Sequence, residues 1–144
     1  MRTLVVGGAG EVRYLGDALI YKKHQVTFIN DDPGLCEKLA ERHKKSVVIR
    51  GDGSKLDVLR KAASGQIDLV FALSPSDAEN YVICGLAKRA LHVRETIAYT
   101  SNPYNAEALI QLGVDTVVDK IDSLVTAAEW ALFAGREENS SLEI

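Results

Sequence analysis

A doubly wound α/β domain, with a parallel six-stranded sheet and helices on both faces, is the fold this chain predicts, and three observations carry it. Short apolar runs alternate with helical patterns from end to end, the layout of a parallel sheet joined by crossover helices. The first run, Thr3-Leu4-Val5-Val6, enters the glycine-rich turn Gly7-Gly8-Ala9-Gly10 that opens a helix. A second run, Val26-Thr27-Phe28-Ile29, ends in Asn30-Asp31-Asp32 about 20 residues after the glycines, the spacing of a Rossmann-like βαβ unit.

The strands fall near Thr3 to Val6, Gln25 to Asn30, Ser46 to Arg50, Ile67 to Ala72, Thr96 to Thr100 and Thr116 to Asp119. Between and after them the pattern predicts helices near Gly10 to Lys22, Pro33 to Arg42, Lys55 to Ala62, Asp77 to Ala90, Pro103 to Leu112 and Ile121 to Ala134. Asp32 before Pro33 and Asn102 before Pro103 each offer a side-chain oxygen to free amides, with proline at the first helical position where its missing N–H costs nothing. Ser76 with Glu79 fits a capping box, and Ser54 before Lys55 a plain cap. Two three-strand halves give the order 3-2-1-4-5-6, which places a ligand crevice at the carboxyl ends of the first and fourth strands. Residues 1–134 form the domain, and the polar stretch 135–144 reads as a tail or linker.

In the last helix, Ile121, Leu124, Val125, Ala128 and Leu132 share one face, while Trp130, Phe133 and Ala134 lie broadly opposite. One apolar face suffices to pack on the sheet. The second predicts contact with another subunit through Trp130 and Phe133, because such an aromatic patch is unusual on a monomer.

The 144 residues, 47% hydrophobic, suffice for a core without disulfides or metal. Seventeen basic against 20 acidic residues leave a net charge of −3, and no basic stripe suggests a nucleic-acid partner. Cys36 and Cys84, far apart and without ligand-spaced neighbours, read as reduced thiols of a cytoplasmic protein. No apolar run reaches the ~18 residues of a membrane span, and the chain opens on a strand rather than a signal peptide. Any membrane connection therefore runs through a partner.

Gly8 and Gly10 let the first turn tighten and bring a phosphate to the amides at the helix start, where the helix dipole favours an anion; a plain strand-to-helix turn is the alternative. Glu11 in the first helical turn stabilises that terminus but repels a phosphate. After Val12, Arg13 stands where the third glycine of G-x-G-x-x-G would be, so its guanidinium either bends toward a phosphate in the crevice or lies out in solvent. Asn30 can bond a ribose hydroxyl, and Asp31 or Asp32 can supply the ribose-binding carboxylate, although Asp32 can equally serve only as a cap. An acidic pair there disfavours a 2′-phosphate, so NAD or an adenine nucleotide is expected ahead of NADP. Asp52-Gly53-Ser54 after the third strand and Ala72-Leu73-Ser74 after the fourth complete the crevice.

A catalytic set does not assemble. His24, His43 and His92 fall on the amino-terminal side of the sheet and read as solvated. No Tyr-x-x-x-Lys pair, G-x-S-x-G elbow, phosphate loop of the G-x-x-x-x-G-K type or metal-ligand spacing occurs, which favours binding without chemistry.

The run Gly8-Ala9-Gly10-Glu11-Val12, then Ile29-Asn30-Asp31-Asp32-Pro33, Gly51-Asp52-Gly53-Ser54, Ala72-Leu73-Ser74 with Asp77 and Asn80, Asn102-Pro103 and Leu112-Gly113-Val114-Asp115 resembles the N-terminal lobe of TrkA-type potassium-uptake regulators, also called RCK or KTN domains. The resemblance covers nearly the whole chain in order. It implies a cytoplasmic, non-enzymatic sensor, peripheral to the membrane through a potassium transporter or channel. NAD(H) or an adenine nucleotide (ATP, ADP or AMP) would bind in the crevice, and the lobes would form dimers and octameric rings that respond by population shift. Gly8, Gly10, the residues after the second strand, Asp52, Ser54, Leu73 and Ser74 match positions that line the family's crevice, and the last helix matches the element that crosses to a partner subunit. Arg13, Asn30 and Tyr99 depart from the family pattern, the last where a basic residue often follows the fifth strand. The sequence stops before the C-terminal ligand-binding lobe common in the family, so either it is a piece of a longer chain or it is a single-lobe subunit whose further expected partner is a separate lobe or second regulatory subunit. The rival class is a small NAD-dependent oxidoreductase or its cofactor-binding half, favoured by the fold alone; a scaffold that binds no ligand is a third.

Overall fold

The computed structural model describes the backbone of residues 1–142 and the side chains of residues 1–134. The elements alternate in chain order as β1 (Arg2–Val6), α1 (Glu11–Tyr21), β2 (Gln25–Asn30), α2 (Pro33–Arg42), β3 (Val47–Arg50), α3 (Leu56–Ala62), β4 (Leu69–Ala72), α4 (Asp77–Leu91), β5 (Glu95–Thr100), α5 (Pro103–Gln111), β6 (Thr116–Asp119) and α6 (Lys120–Leu142). The six strands form one parallel sheet in the order β3-β2-β1-β4-β5-β6, the predicted topology.

The two-residue period of β1 distributes its side chains between two layers, as a sheet covered on both faces requires. Leu4 and Val6 join Ile29, Leu59, Val70 and Ile83 on one side. Val5 joins Val12, Leu19, Phe28 and Leu39 on the other. Both cysteines are free and buried, and burial pushes the Cys84 thiol up to about 11, so it stays protonated near neutrality.

Local chemistry sets the helix starts. Asp32 Oδ1 accepts from the Gly34 and Leu35 amides at 2.9 and 3.4 Å, and Asn102 Oδ1 from Tyr104 N at 3.0 Å. Ser76 Oγ accepts from Glu79 N at 3.2 Å, but the Glu79 carboxylate takes the Ser74 hydroxyl at 2.5 Å, so only half of the expected capping box forms. Ser54 does not cap α3: Lys55 holds the cap position, and the Ser54 hydroxyl donates to Asp52 Oδ1 at 2.6 Å.

Two sequence expectations for the last helix change. Its backbone continues past Ala134 to Leu142, because the apolar pattern ends there but no proline stops the helix. Nor does either apolar face pack on the sheet, since every side chain from Lys120 to Ala134 is exposed. Instead α6 leaves from the edge strand β6, beyond which the sheet of the described residues offers no further strand to lie against.

Candidate functional site

Four turns, at the carboxyl ends of β1, β2, β3 and β4, enclose a cleft of about 810 Å3 where the strand order reverses. The turn after β1 is made by Gly7 and Gly8, whose φ values of +79° and +89° are left-handed. A Cβ at Gly7 would lie 3.1 Å from Ser74 N, and one at Gly8 2.5 Å from Val12 Cγ1. Gly10, expected to tighten this turn, instead has ordinary helical angles at the start of α1. The Gly8, Gly10 and Glu11 amides have no protein acceptor among the described residues, whereas Ala9 N donates to the Glu11 carboxylate at 3.2 Å. An anion-binding terminus is therefore partly open and partly covered by the chain's own carboxylate.

Asn30 lines the cleft and also has a structural task there. It is 2% exposed, its Nδ2 donates to Gly8 O at 3.1 Å, and its Oδ1 accepts from Asp32 N at 3.0 Å. Both ends of the amide thus clasp the end of β2 to the glycine turn, which commits one N–H and one lone pair of Asn30 to backbone. Asp32 caps α2. Asp31 is exposed on the rim and its carboxylate makes no hydrogen bond among the described residues.

The opposite walls are equally tied to backbone. Asp52 Oδ1 accepts from Ser54 Oγ and Ser54 N, and these bonds hold the Asp52 carboxyl below the usual carboxylate range. Gly53 is buried where a Cβ would come within 2.1 Å of Val6 Cγ1, so the loop after β3 can seat itself against β1 only with glycine. Asn80, fully buried, accepts from Ser74 N at 2.9 Å and donates to Ser74 O at 2.8 Å and Tyr99 O at 3.2 Å, locking the β4 turn to β5. Leu73 and Ser74 line the cleft from this turn.

Four expected site residues, Gly10, Val12, Arg13 and Ala72, are not among those that line the cleft. Val12 and Ala72 are core side chains, 1% and 0% exposed. Arg13 neither enters the cleft nor extends into solvent: its Nε donates to Gly10 O at 3.2 Å, and its guanidinium carbon lies 5.7 Å from the Tyr14 ring centroid. The close packing expected of a third glycine falls to Gly16, where a Cβ would approach Phe28 Cζ at 2.7 Å and His43 Nε2 at 2.9 Å. The signal for it was a lone glycine inside a helical pattern.

His43 is not solvated. It is 6% exposed, stacks on Phe28 with centroids 5.4 Å apart, and has Nε2 3.3 Å from Arg13 O. His24 is half-buried, and His92 is exposed as expected.

Lys120, not singled out from sequence, is the one cation among the described residues that line the cleft, with Nζ 4.1 Å from the Tyr99 ring centroid. Five acidic residues, Glu11, Asp31, Asp32, Asp52 and Glu79, are among the described residues that line the cleft with it. Tyr99 stands where the family pattern often has a basic residue, and Lys120, just after the neighbouring strand β6, places a positive charge over the Tyr99 ring.

The TrkA-N domain family model matches residues 4–120. A Trk system potassium uptake protein TrkA homolog of Methanothermobacter thermautotrophicus is 30% identical over 118 residues, covering 82% of this chain and 54% of that protein. The chain thus spans about half the length of that relative. Among solved structures, the TrkA-N domain of the inner membrane protein ybaL from Escherichia coli superposes with a TM-score of 0.80 at 18% identity, covering 90% of this chain and 96% of that one. The GsuK channel bound to NAD gives 0.69 at 22% identity, covering 81% of this chain and 21% of that one. These likenesses show a common fold. The family match runs from Leu4 in β1 to Lys120 at the start of α6, across all six strands, and on that extent the chain belongs to the TrkA-N family.

Proposed function

We propose that residues 1–134 form a nucleotide-sensing regulatory lobe of a potassium-transport system, which binds NAD(H) or an adenine nucleotide in the cleft and biases the conformation of a membrane transporter or channel. The carrying observation is the set of open Gly8, Gly10 and Glu11 amides at the positive end of α1, which fits a phosphate. Asp31 would take a ribose diol, and Lys120 a second negative charge. With five carboxylates around it, the cleft would bind a 2′-phosphorylated dinucleotide poorly.

The relatives support the same reading, since one is by name a potassium uptake protein and a channel of the same fold holds NAD. A regulator needs only different ligand affinities in two conformations. Glu11 is placed to contribute such a difference, because its carboxylate must release the Ala9 amide before a phosphate takes it. Reduced, buried thiols suit a cytoplasmic position. The exposed apolar faces of α6 suit assembly with further copies. Binding is favoured over hydride-transfer chemistry because the described residues that line the cleft include no histidine and the sequence has no Tyr-x-x-x-Lys pair.

Thermal shift with NADH, NAD, NADP, ATP, ADP and AMP tests the proposal. At ~100 times its dissociation constant, a ligand stabilises by about 2.7 kcal/mol, enough to move the melting temperature by several degrees. NADP should be the weakest of the dinucleotides, and Glu11→Gln should tighten the best ligand by roughly fivefold. No shift with any of the six would overturn the proposal, and NADH oxidation with a carbonyl substrate would restore the oxidoreductase reading.

A further inference from the structure

We propose that the amino-terminal end of the sheet, opposite the nucleotide cleft, carries a second anion site for a small, multiply charged phosphate compound. A concavity of about 700 Å3 lies there, beneath the carboxyl ends of α1 and α2, with Thr3 and His24 in its lining. Its rim carries Arg2, Lys23, Lys44 and Lys45, and Glu41 is the one carboxylate among the lining residues. Arg42 also lines it but is already held by Asp17. None of the three lysines makes an ion pair among the described residues. In a chain of net charge −3, whose main cleft is acidic, this end is a local reversal of sign.

Helix termini explain only part of that bias. Each carboxyl end carries about half a negative charge, so α1 and α2 together present roughly one, fewer than the cations arranged around them. The second observation is independent of charge. Among the described residues, two buried side-chain polar atoms have no hydrogen-bond partner, Thr3 Oγ1 and His24 Nδ1, and both belong to residues lining this concavity. Thr3 is 1% exposed, so its hydroxyl loses water without gaining a protein partner. A phosphate group fits both features, since its oxygens accept from a hydroxyl and an imidazole N–H while its charge is met by ammonium groups. A flat membrane surface could meet the lysines but not a hydroxyl so deeply placed, and a concave site therefore points to a small soluble anion.

Titration of the whole chain with inorganic tripolyphosphate, followed by calorimetry and by amide NMR shifts, tests this. Saturable binding is expected, with shifts at Thr3, Lys23, His24, Lys44 and Lys45. The exposed pair Lys44→Ser/Lys45→Ser should weaken it at least tenfold, and the near-isosteric Thr3→Val severalfold, while both leave the melting temperature without ligand at or above wild type and nucleotide-induced thermal shifts unchanged. Absence of saturable binding, shifts confined to Gly8 through Glu11, or undiminished affinity in the lysine pair would overturn the site. Sedimentation with phosphatidylglycerol vesicles in the absence of tripolyphosphate binding would overturn it in favour of a membrane-facing surface.

Discussion

Gly16 shows how a single residue carries a role that its motif assigns to another. The dinucleotide pattern places close helix–strand contact at position 13, yet here α1 lies on β2 through Gly16, against the Phe28 ring. That ring is stacked on buried His43 and cannot easily retreat from an added methyl. Gly16→Ala should therefore cost about 2 kcal/mol in urea denaturation, the usual scale of overpacking, despite the better helix propensity of alanine. An unchanged midpoint would remove the packing role. Asn30 teaches the converse: its amide is chemically suited to a ribose, but the nearby backbone of Gly8 and Asp32 takes both ends.

At the scale of elements, Asp115 before β6 ties three of them together. Its carboxylate accepts from Lys88 Nζ on α4 at 2.7 Å and from Thr96 N on β5 at 2.8 Å. Burial raises its pKa, but the Lys88 and Thr96 bonds outweigh this and hold it below the ordinary carboxylate value. Asp17, bonded by Arg42, and Asp52, bonded by Ser54, shift the same way. A carboxylate depressed in the folded state adds stability above its unfolded pKa near 4 and loses it as pH falls through the lower folded value. Urea denaturation should accordingly show stability constant from pH 7 to about 5 with respect to these groups and falling below about pH 4. Asp115→Asn should lose roughly 1 kcal/mol at pH 7, after allowance for solvent screening, and show a shallower acid limb. An acid limb identical to wild type would refute this linkage.

At the scale of the whole molecule, the cleft end is acidic, the opposite end basic, and α6 stands out with its apolar side chains uncovered. Trp130 and Phe133 make an edge-on pair 6.3 Å apart and are 69% and 54% exposed, with Leu124 and Leu132 at 67% and 64%. A helix apolar on two sides and packed on neither is suited to lie between copies. Trp130→Glu should yield a smaller species by light scattering with an unchanged circular dichroism spectrum, because the residue supports no contact with its own sheet. An unchanged mass would remove the interface.

Alternating apolar runs and helical periods, with Asp32-Pro33 and Asn102-Pro103 marking helix starts, were enough to determine the fold class and the order of all six strands, because these signals are local and each is repeated along the chain. They also located the cleft, since topology alone places it where the strand order reverses. Tertiary structure decided which side chains face that cleft. Asn30, Val12, Ala72 and Arg13 were drawn into backbone or core contacts, Lys120 was brought in from the end of β6, and α6 leaves the edge of the sheet with its apolar side chains uncovered. A side chain's chemistry states what it can bond, but its partner is set by what the folded chain brings within about 3 Å of it.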